Sequence, residues 1–205
     1  MNYQKQHSPL QFYLVAIVLL FGSVGFTHAA DSSRFVQDIP RFGANSPFSG
    51  EYKSPLYPGG KQLWAQSRLW QPAPDLVVED WIGDQPDTQG KYLLIEFWAT
   101  WCSQCKKSVP LLNRLHQRFG DELAVIGISD EPVDKVSAMH EPAIDYYRAT
   151  DTQARMKKAL AVKGIPHVII VEPGGAVVWE GFPLLEGYEL TEEIVEKILA
   201  VGRGE

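Results

Sequence analysis

The only two cysteines of this 205-residue chain, Cys102 and Cys105, are separated by two residues. When such a pair lies in the first turn of a helix, the two sulfur atoms come within bonding distance. The N-terminus of a helix carries unpaired N–H groups and a partial positive charge, which stabilise a thiolate at the first cysteine. We therefore expect Cys102 to attack the disulfide of a partner, and Cys105 to resolve the mixed disulfide by closing an intramolecular bond. The spacing predicts dithiol-disulfide exchange.

Other uses of a cysteine pair fit the surrounding residues less well. A structural disulfide at this spacing would close a loop too short to add much stability. Haem attachment requires histidine directly after the second cysteine, where this chain has Lys106. A zinc site needs two more ligands, and His116, His140 and His167 show no recognisable ligand spacing. A structural disulfide and a zinc half-site stay open as alternatives, and no metal site is predicted.

The residues on either side of the cysteines predict the elements that position them. The apolar run from Tyr92 to Trp98 (YLLIEFW) is typical of a buried strand. The segment after Cys102 up to Phe119 has a helical pattern, and Gly120 is a natural end for that helix. A second buried strand is expected over residues 123–128. The cysteine pair is thus predicted to lie where a central strand passes into a helix.

The rest of the chain continues this alternation of strands and helices. The further expected elements are helices over 132–140 and 152–161, strands over 144–148, 168–171 and 176–179, and a closing amphipathic helix over 191–201. Pro173-Gly174-Gly175 marks a hairpin, and Thr191 is the expected N-cap of the last helix. This order predicts an α/β fold with a central mixed β-sheet and helices on both faces.

The composition is that of an ordinary soluble globular protein. The chain is 45% hydrophobic and 21% charged, and its formal net charge is -6. Two cysteines exclude a disulfide-rich scaffold, and the negative charge argues against a nucleic-acid-binding surface. We therefore expect no nucleic-acid partner.

Residues 1–30 have the pattern of a secretory signal. Lys5 is the only charged side chain, residues 10–26 are mostly apolar, and small residues follow at Ala29 and Ala30. The alternative is an uncleaved membrane anchor, because the apolar run approaches the ~17 residues needed to span a bilayer. Either interpretation predicts an exported, periplasmic or extracytoplasmic protein, an environment in which disulfides persist.

Residues 31–74 form an irregular extension rich in proline, glycine and aromatic residues, ahead of the main domain at 75–205. The extension contains too many large apolar side chains for a fully solvated tail. These are Phe35, Phe42, Phe48, Tyr52, Tyr57, Trp64 and Trp70. We expect the extension to lie partly over the main domain, with contact to a partner as the alternative.

The run IEFWATWCSQCKKSVPLL, residues 95–112, resembles the active-site segment of thioredoxin-fold oxidoreductases. Together with the export signal and the insertion-like segment 131–151, it is most similar to the TlpA/ResA branch of exported thiol-disulfide oxidoreductases. The resemblance covers roughly residues 73–201. It implies a thioredoxin fold, reversible dithiol-disulfide exchange, no organic cofactor, and protein substrates that carry disulfides.

The resemblance also assigns roles to individual residues of the active-site segment. Cys102 and Cys105 match the redox pair, and Trp98 and Trp101 match the aromatic positions before it. Pro110 matches the proline inside the active-site helix, where a missing N–H bends the helix axis. The alternative for Pro110 is a simple helix end.

A second matching segment lies at Ile165-Pro166. It corresponds to a cis-proline turn that faces the disulfide and offers the Ile165 backbone to an incoming chain as a strand-like partner. Trp101, Ile165 and Pro166 are therefore the expected substrate-binding residues. His167 follows the turn, and we expect it to be a core or rim histidine, with charge bias on the Cys102 thiolate as the alternative.

Glu96 interrupts the apolar strand, and a buried acid there must be paired, protonated or used in chemistry. It matches the buried acidic position of thioredoxins, which implies a general acid/base for Cys105 with a pKa raised by desolvation. The alternative is an acid that reaches a cation or water at the sheet edge.

The chain departs from the pattern at three places, the first of which bears on the redox poise and the other two on proton transfer. Ser103 and Gln104 replace the Gly-Pro of thioredoxin. No lysine follows the strand at 123–128, and Ser108 occupies a position where some TlpA/ResA members have an acid.

The resemblance implies a reductant of specific exported proteins, supplied with electrons by a membrane thiol carrier. The alternatives are a disulfide oxidant or isomerase, and a thioredoxin-fold module that binds a partner or delivers a metal without turnover.

Overall fold

The computed structural model describes residues 63–205. The expected signal segment at 1–30 lies outside the described residues, as does the expected extension up to residue 62. Within the described part, no helix is long and apolar enough to cross a membrane.

A six-stranded mixed sheet forms the centre of the fold, in the order β1-β4-β3-β2-β5-β6. β2 pairs in parallel with β3, as β3 does with β4, and the remaining pairings are antiparallel. The elements in chain order are β1 Asp80–Ile82, β2 Tyr92–Trp98, α1 Ser103–Phe119, β3 Leu123–Ser129, α2 Val133–Ser137, β4 Tyr147–Thr150, α3 Arg155–Ala159, β5 His167–Val171, β6 Val177–Gly181 and α4 Glu192–Arg203.

Helices cover both faces of the sheet. Successive side chains of a strand point to opposite faces, so neighbouring residues of β2 pack into different core clusters. Leu94 of β2 lies in one core cluster with Leu112 of α1 and Val195 of α4. Its neighbour Leu93 lies in a second cluster with Met156 of α3. The predicted α/β architecture is confirmed, and the strand that leads to the cysteines lies in the middle of the sheet.

The two short helices are shorter than the sequence predicts. α2 and α3 have five residues each, whereas helices were expected over 132–140 and 152–161. α2 ends at Ser137, with Ala138 as its C-cap. Ala154 and Ala161 have positive φ angles of 50° and 48°, which interrupt the helix on either side of α3.

The strands also differ from the prediction at two places. β4 covers Tyr147–Thr150 instead of 144–148, and Ile144 packs against the core outside any strand. β1 was not predicted, because a three-residue edge strand is too short to show a period of two. It pairs with β4 and extends the sheet beyond the parallel strands.

Residues 68–73 run along the outer edge of β6. The Trp70 N–H donates a hydrogen bond to the Val177 carbonyl at 2.8 Å. The Arg68 N–H donates to the carboxylate of Glu180, which is buried, also at 2.8 Å. Backbone groups of an edge strand are thereby paired.

Candidate active site

The two cysteines form a disulfide bond at the N-terminus of α1, with Cα atoms 5.3 Å apart. Cys102 is the N-cap of the helix, and the Cys105 N–H donates a hydrogen bond to Cys102 Sγ at 3.1 Å. Cys102 is 5% exposed and Cys105 is 0% exposed. Cys102 is therefore the more exposed of the two cysteines. The geometry also favours Cys102 as the attacking thiolate, because both the helix end and the amide stabilise negative charge on its sulfur.

α1 begins and ends where the sequence predicts. It runs from Ser103 to Phe119, and Pro110 lies inside it, which excludes the simple helix end considered for that proline. Buried apolar side chains along one face of α1, such as Leu112 and Leu115, anchor the helix against the sheet. The cysteine pair is thus attached to a rigid element.

The Ile165-Pro166 segment faces the disulfide. The Ile165-Pro166 peptide bond is cis, as the resemblance implies. The Ile165 carbonyl oxygen lies 3.8 Å from Cys102 Sγ. Trp101, directly before Cys102, is 68% exposed. The structure therefore brings the Ile165 backbone next to Cys102 Sγ, and the residue before Cys102 has an exposed indole. Pro166 is buried directly before β5.

Glu96 is fully buried in β2, a central strand with β3 on one side and β5 on the other. The Ser108 hydroxyl contacts Glu96 Oε1 at 2.5 Å, and the Tyr146 hydroxyl donates to Oε2 at 3.0 Å. Burial raises the pKa of Glu96 to about 7, and the two hydrogen bonds partly oppose this rise. The expected burial and raised pKa are confirmed, and a position at the sheet edge is excluded.

Ser108 connects the buried carboxyl to the second cysteine. Its hydroxyl oxygen lies 2.5 Å from Glu96 Oε1 and 2.7 Å from the Cys105 carbonyl oxygen. One hydroxyl hydrogen cannot serve both acceptors at once. When Glu96 is protonated, its O–H can donate to Ser108 while Ser108 donates to the Cys105 carbonyl. When Glu96 is ionised, the Ser108 hydrogen can turn to the carboxylate instead.

This role of Ser108 was not predicted from the sequence, although a signal was present. Residues three apart on a helix lie on the same side, so Ser108 had to be near Cys105. Tyr146 was missed for a different reason, since it lies in an irregular segment 50 residues from Glu96 and has no local pattern.

Glu131 holds the loop between β2 and α1. It accepts hydrogen bonds from the Thr100 N–H at 2.5 Å and from the Thr100 hydroxyl at 3.0 Å, and it forms an ion pair with Lys135. Burial alone would raise the pKa of Glu131, but the hydrogen bonds from Lys135 and Thr100 outweigh burial and lower it. The segment that leads to Cys102 is therefore fixed by an ionised carboxylate.

His167 is a core residue. It is buried and stacks on Phe97, with ring centroids 6.3 Å apart. Burial lowers the pKa of His167 to about 4, so the imidazole is neutral at neutral pH and carries no charge toward Cys102. Across residues 63–205, no three His, Cys, Asp or Glu side chains cluster closely enough to hold a metal ion.

Comparison with known proteins places the chain in a family. Residues 90–177 match a family described as thioredoxin-like. The thioredoxin-like protein YneN of Bacillus subtilis is 31% identical over 114 residues, which are 52% of this chain and 67% of YneN. The chain belongs to the thioredoxin-like family.

Within this family, the chain is similar to thiol-disulfide oxidoreductases named ResA. The ResA of Bacillus subtilis is 28% identical over 112 residues, which are 52% of this chain and 63% of that protein, slightly less than two thirds of its length. The ResA of Bacillus cereus is 22% identical over 193 residues, which are 91% of this chain and 93% of that protein. The similarity to the ResA branch expected from the active-site segment is confirmed.

Solved structures support the same fold. The crystal structure of the thioredoxin-like superfamily protein SPOA0173 has a TM-score of 0.55 and 22% identity, and the match covers 65% of this chain and 97% of that one. The solution structure of a thioredoxin-like protein in its oxidised form has a TM-score of 0.52 and 21% identity, over 66% of this chain and 97% of that one. The thioredoxin-like family protein described here therefore has the fold that the sequence predicts.

Proposed function

We propose that this thioredoxin-like protein is a thiol-disulfide oxidoreductase that reduces disulfides of specific exported proteins. The observation that carries the proposal is the position of the disulfide, which lies between the Ile165 backbone and the contact of Ser108 with Glu96. The Ile165 carbonyl lies 3.8 Å from Cys102 Sγ on the outer side. On the inner side, Ser108 links the Cys105 turn to the buried carboxyl of Glu96.

In the proposed reaction the reduced protein begins the exchange. The Cys102 thiolate attacks one sulfur of a client disulfide, so that a mixed disulfide forms and the other client sulfur leaves as a thiolate, which takes a proton from water. Cys105 then loses its proton and attacks Cys102 Sγ. The bond between Cys102 and the client breaks, and the second client thiolate leaves. The client gains two electrons, and the protein ends in the disulfide form.

Glu96 is the proposed proton acceptor for Cys105. A general acid or base works best when its pKa lies near the working pH, and the pKa of Glu96 is raised by burial to about 7. The carboxylate can therefore accept the Cys105 proton before the second attack. It can return that proton when the disulfide is reduced again. Ser108 supports this role by keeping the carboxyl in contact with the helix turn of Cys105.

The client is proposed to bind as an extended segment along the Ile165 backbone, next to the exposed ring of Trp101. Main-chain pairing of this kind recognises an unfolded stretch around a cysteine without fixing its side chains. Location outside the cytoplasm is part of the proposal and is supported by the signal pattern at 1–30. A membrane thiol carrier is the proposed electron donor, with residues 1–30 as a cleaved signal or an anchor.

Trapping tests this proposal in the cell. Cys105→Ser removes the resolving thiol, so Cys102 should remain in mixed disulfides with client proteins, which diagonal electrophoresis and mass spectrometry would identify. The double variant Cys102→Ser/Cys105→Ser is the matched control and should trap none. If the single variant traps no more than the double variant, the proposal is wrong.

The reduction potential distinguishes a reductant from an oxidant or isomerase. A reduction potential of about −270 mV, as in thioredoxin, supports a reductant. A potential between about −180 and −120 mV supports an oxidant or isomerase. Equilibration with glutathione or dithiothreitol, followed by thiol alkylation, measures it.

A further inference from the structure

Trp64 is held against the loop that carries the Ile165-Pro166 turn. The Lys163 N–H donates a hydrogen bond to the Trp64 carbonyl at 2.7 Å, and the Gln66 N–H donates to the Leu160 carbonyl at 2.7 Å. Two backbone bonds therefore tie residues 64–66 to the segment directly ahead of the turn. These hydrogen bonds hold the backbone of Trp64 next to that segment.

The indole ring of Trp64 is fixed from two sides. A Cβ atom at Gly164 would lie only 2.2 Å from Trp64 Cε3, so the ring packs directly on the backbone of Gly164, where only glycine fits. The ring also makes an edge contact with Phe182, with centroids 6.2 Å apart and planes at 84°. The side chain nevertheless remains 59% exposed. An ordered indole is thus offered to the solvent.

The ring lies one residue from the proposed client-binding backbone. Gly164 directly precedes Ile165, whose carbonyl faces Cys102 Sγ. Trp101, which directly precedes Cys102 in the chain, is 68% exposed. Among residues 63–205 these two tryptophans are the most exposed large hydrophobic side chains. One adjoins the attacking cysteine and the other adjoins the loop that would pair with the client.

We infer that Trp64 is a specificity-determining residue, which selects extended client segments with an apolar side chain next to the target cysteine. The inference rests on the proposed function. A rigid, half-exposed indole gains contact area with little loss of conformational entropy, which is why tryptophan is frequent at binding hot spots. An aliphatic or aromatic side chain that covers the ring removes apolar surface of both groups from water.

A pair of disulfide peptides tests this inference. The two peptides are identical except that one has phenylalanine and the other serine next to the target cysteine. Pre-reduced protein is mixed with each peptide, and the second-order rate constant of reduction is followed by chromatography. Hydroxyethyl disulfide, which has no peptide to dock, serves as a third substrate.

We expect the wild type to reduce the phenylalanine peptide about tenfold faster than the serine peptide, within the range typical of one apolar contact. Trp64→Ala should lower this preference to twofold or less and leave the rate with hydroxyethyl disulfide within twofold. Trp64→Phe should keep most of the preference. Leu184→Ala removes another exposed apolar side chain, one that lines a cavity with Leu111 and Arg114 of α1, and should keep all of the preference.

Two results would overturn the inference. One is an unchanged preference in Trp64→Ala, and the other is an equal loss of rate on all three substrates, since that indicates a ring that only supports the loop. If the wild type reduces none of the three disulfides, the proposed function itself fails. The two failures are therefore distinguishable.

Discussion

Replacing Glu96 by glutamine should stabilise the oxidised protein at alkaline pH, because the substitution removes a carboxyl that would otherwise ionise inside the sheet. The pKa of Glu96 is about 7 in the folded protein and 4.5 in its ordinary state. Between these two values the unfolded chain releases a proton that the folded protein retains. The free energy of unfolding of the wild type therefore falls as the pH rises through this window, by about 1.4 kcal/mol per pH unit.

The total effect is about 3 kcal/mol over the window from 4.5 to 7. Below this window Glu96 is protonated in both states, and the wild type and Glu96→Gln should have similar stability. Above it the wild type should be less stable than the variant by about that amount. Glutamine can keep both contacts, since its amide oxygen accepts a hydrogen bond from Ser108 and its amide group can donate to Tyr146.

Urea denaturation of the oxidised proteins at a series of pH values measures this difference. Glu186→Gln, which changes an exposed acid, is the matched control; it retains Glu96 and should lose stability with rising pH as the wild type does. A difference between Glu96→Gln and wild type that is constant across the series would refute the reasoning. So would a wild type that is the more stable protein at alkaline pH.

Two further predictions follow from the groups around the site. Ser108→Ala removes a hydrogen bond that lowers the pKa of Glu96, so this pKa should rise by about one unit, the value of one such bond; a carboxyl ¹³C NMR titration measures it, and an unchanged pKa would contradict the contact. Glu131→Ala leaves the Thr100 N–H without its acceptor and should lower the free energy of unfolding by about 1–3 kcal/mol. Glu131→Gln keeps an acceptor oxygen and should recover part of that loss in the same denaturation assay, whereas equal losses in both variants would assign the effect to the charge alone.

The sequence predicts those parts of the site that depend on local pattern. Cys102 and Cys105 stand out through their spacing, and Glu96 stands out as a charge inside an apolar strand. The positions of β2 and α1 follow from the apolar run and from Gly120. These features need only a few neighbouring residues to be recognised, and the structure confirms the elements that carry them.

The remaining contacts of the site depend on packing between distant segments. Tyr146 and Glu131 both come from the segment 131–151, which contains short elements and irregular turns without a clear period. Trp64 reaches the Gly164 loop through backbone bonds that no local pattern encodes. The sequence showed that Glu96 needs a partner but could not identify the two hydroxyl groups that contact it.

The most direct test of the central claim is disulfide reduction by the purified protein. Insulin reduction driven by dithiothreitol is followed by turbidity for the wild type, for Cys102→Ser and for the surface control Glu186→Gln. The proposed function predicts that wild type and Glu186→Gln accelerate the reaction equally, and that Cys102→Ser falls to the rate of dithiothreitol alone. Equal rates for wild type and Cys102→Ser would contradict it.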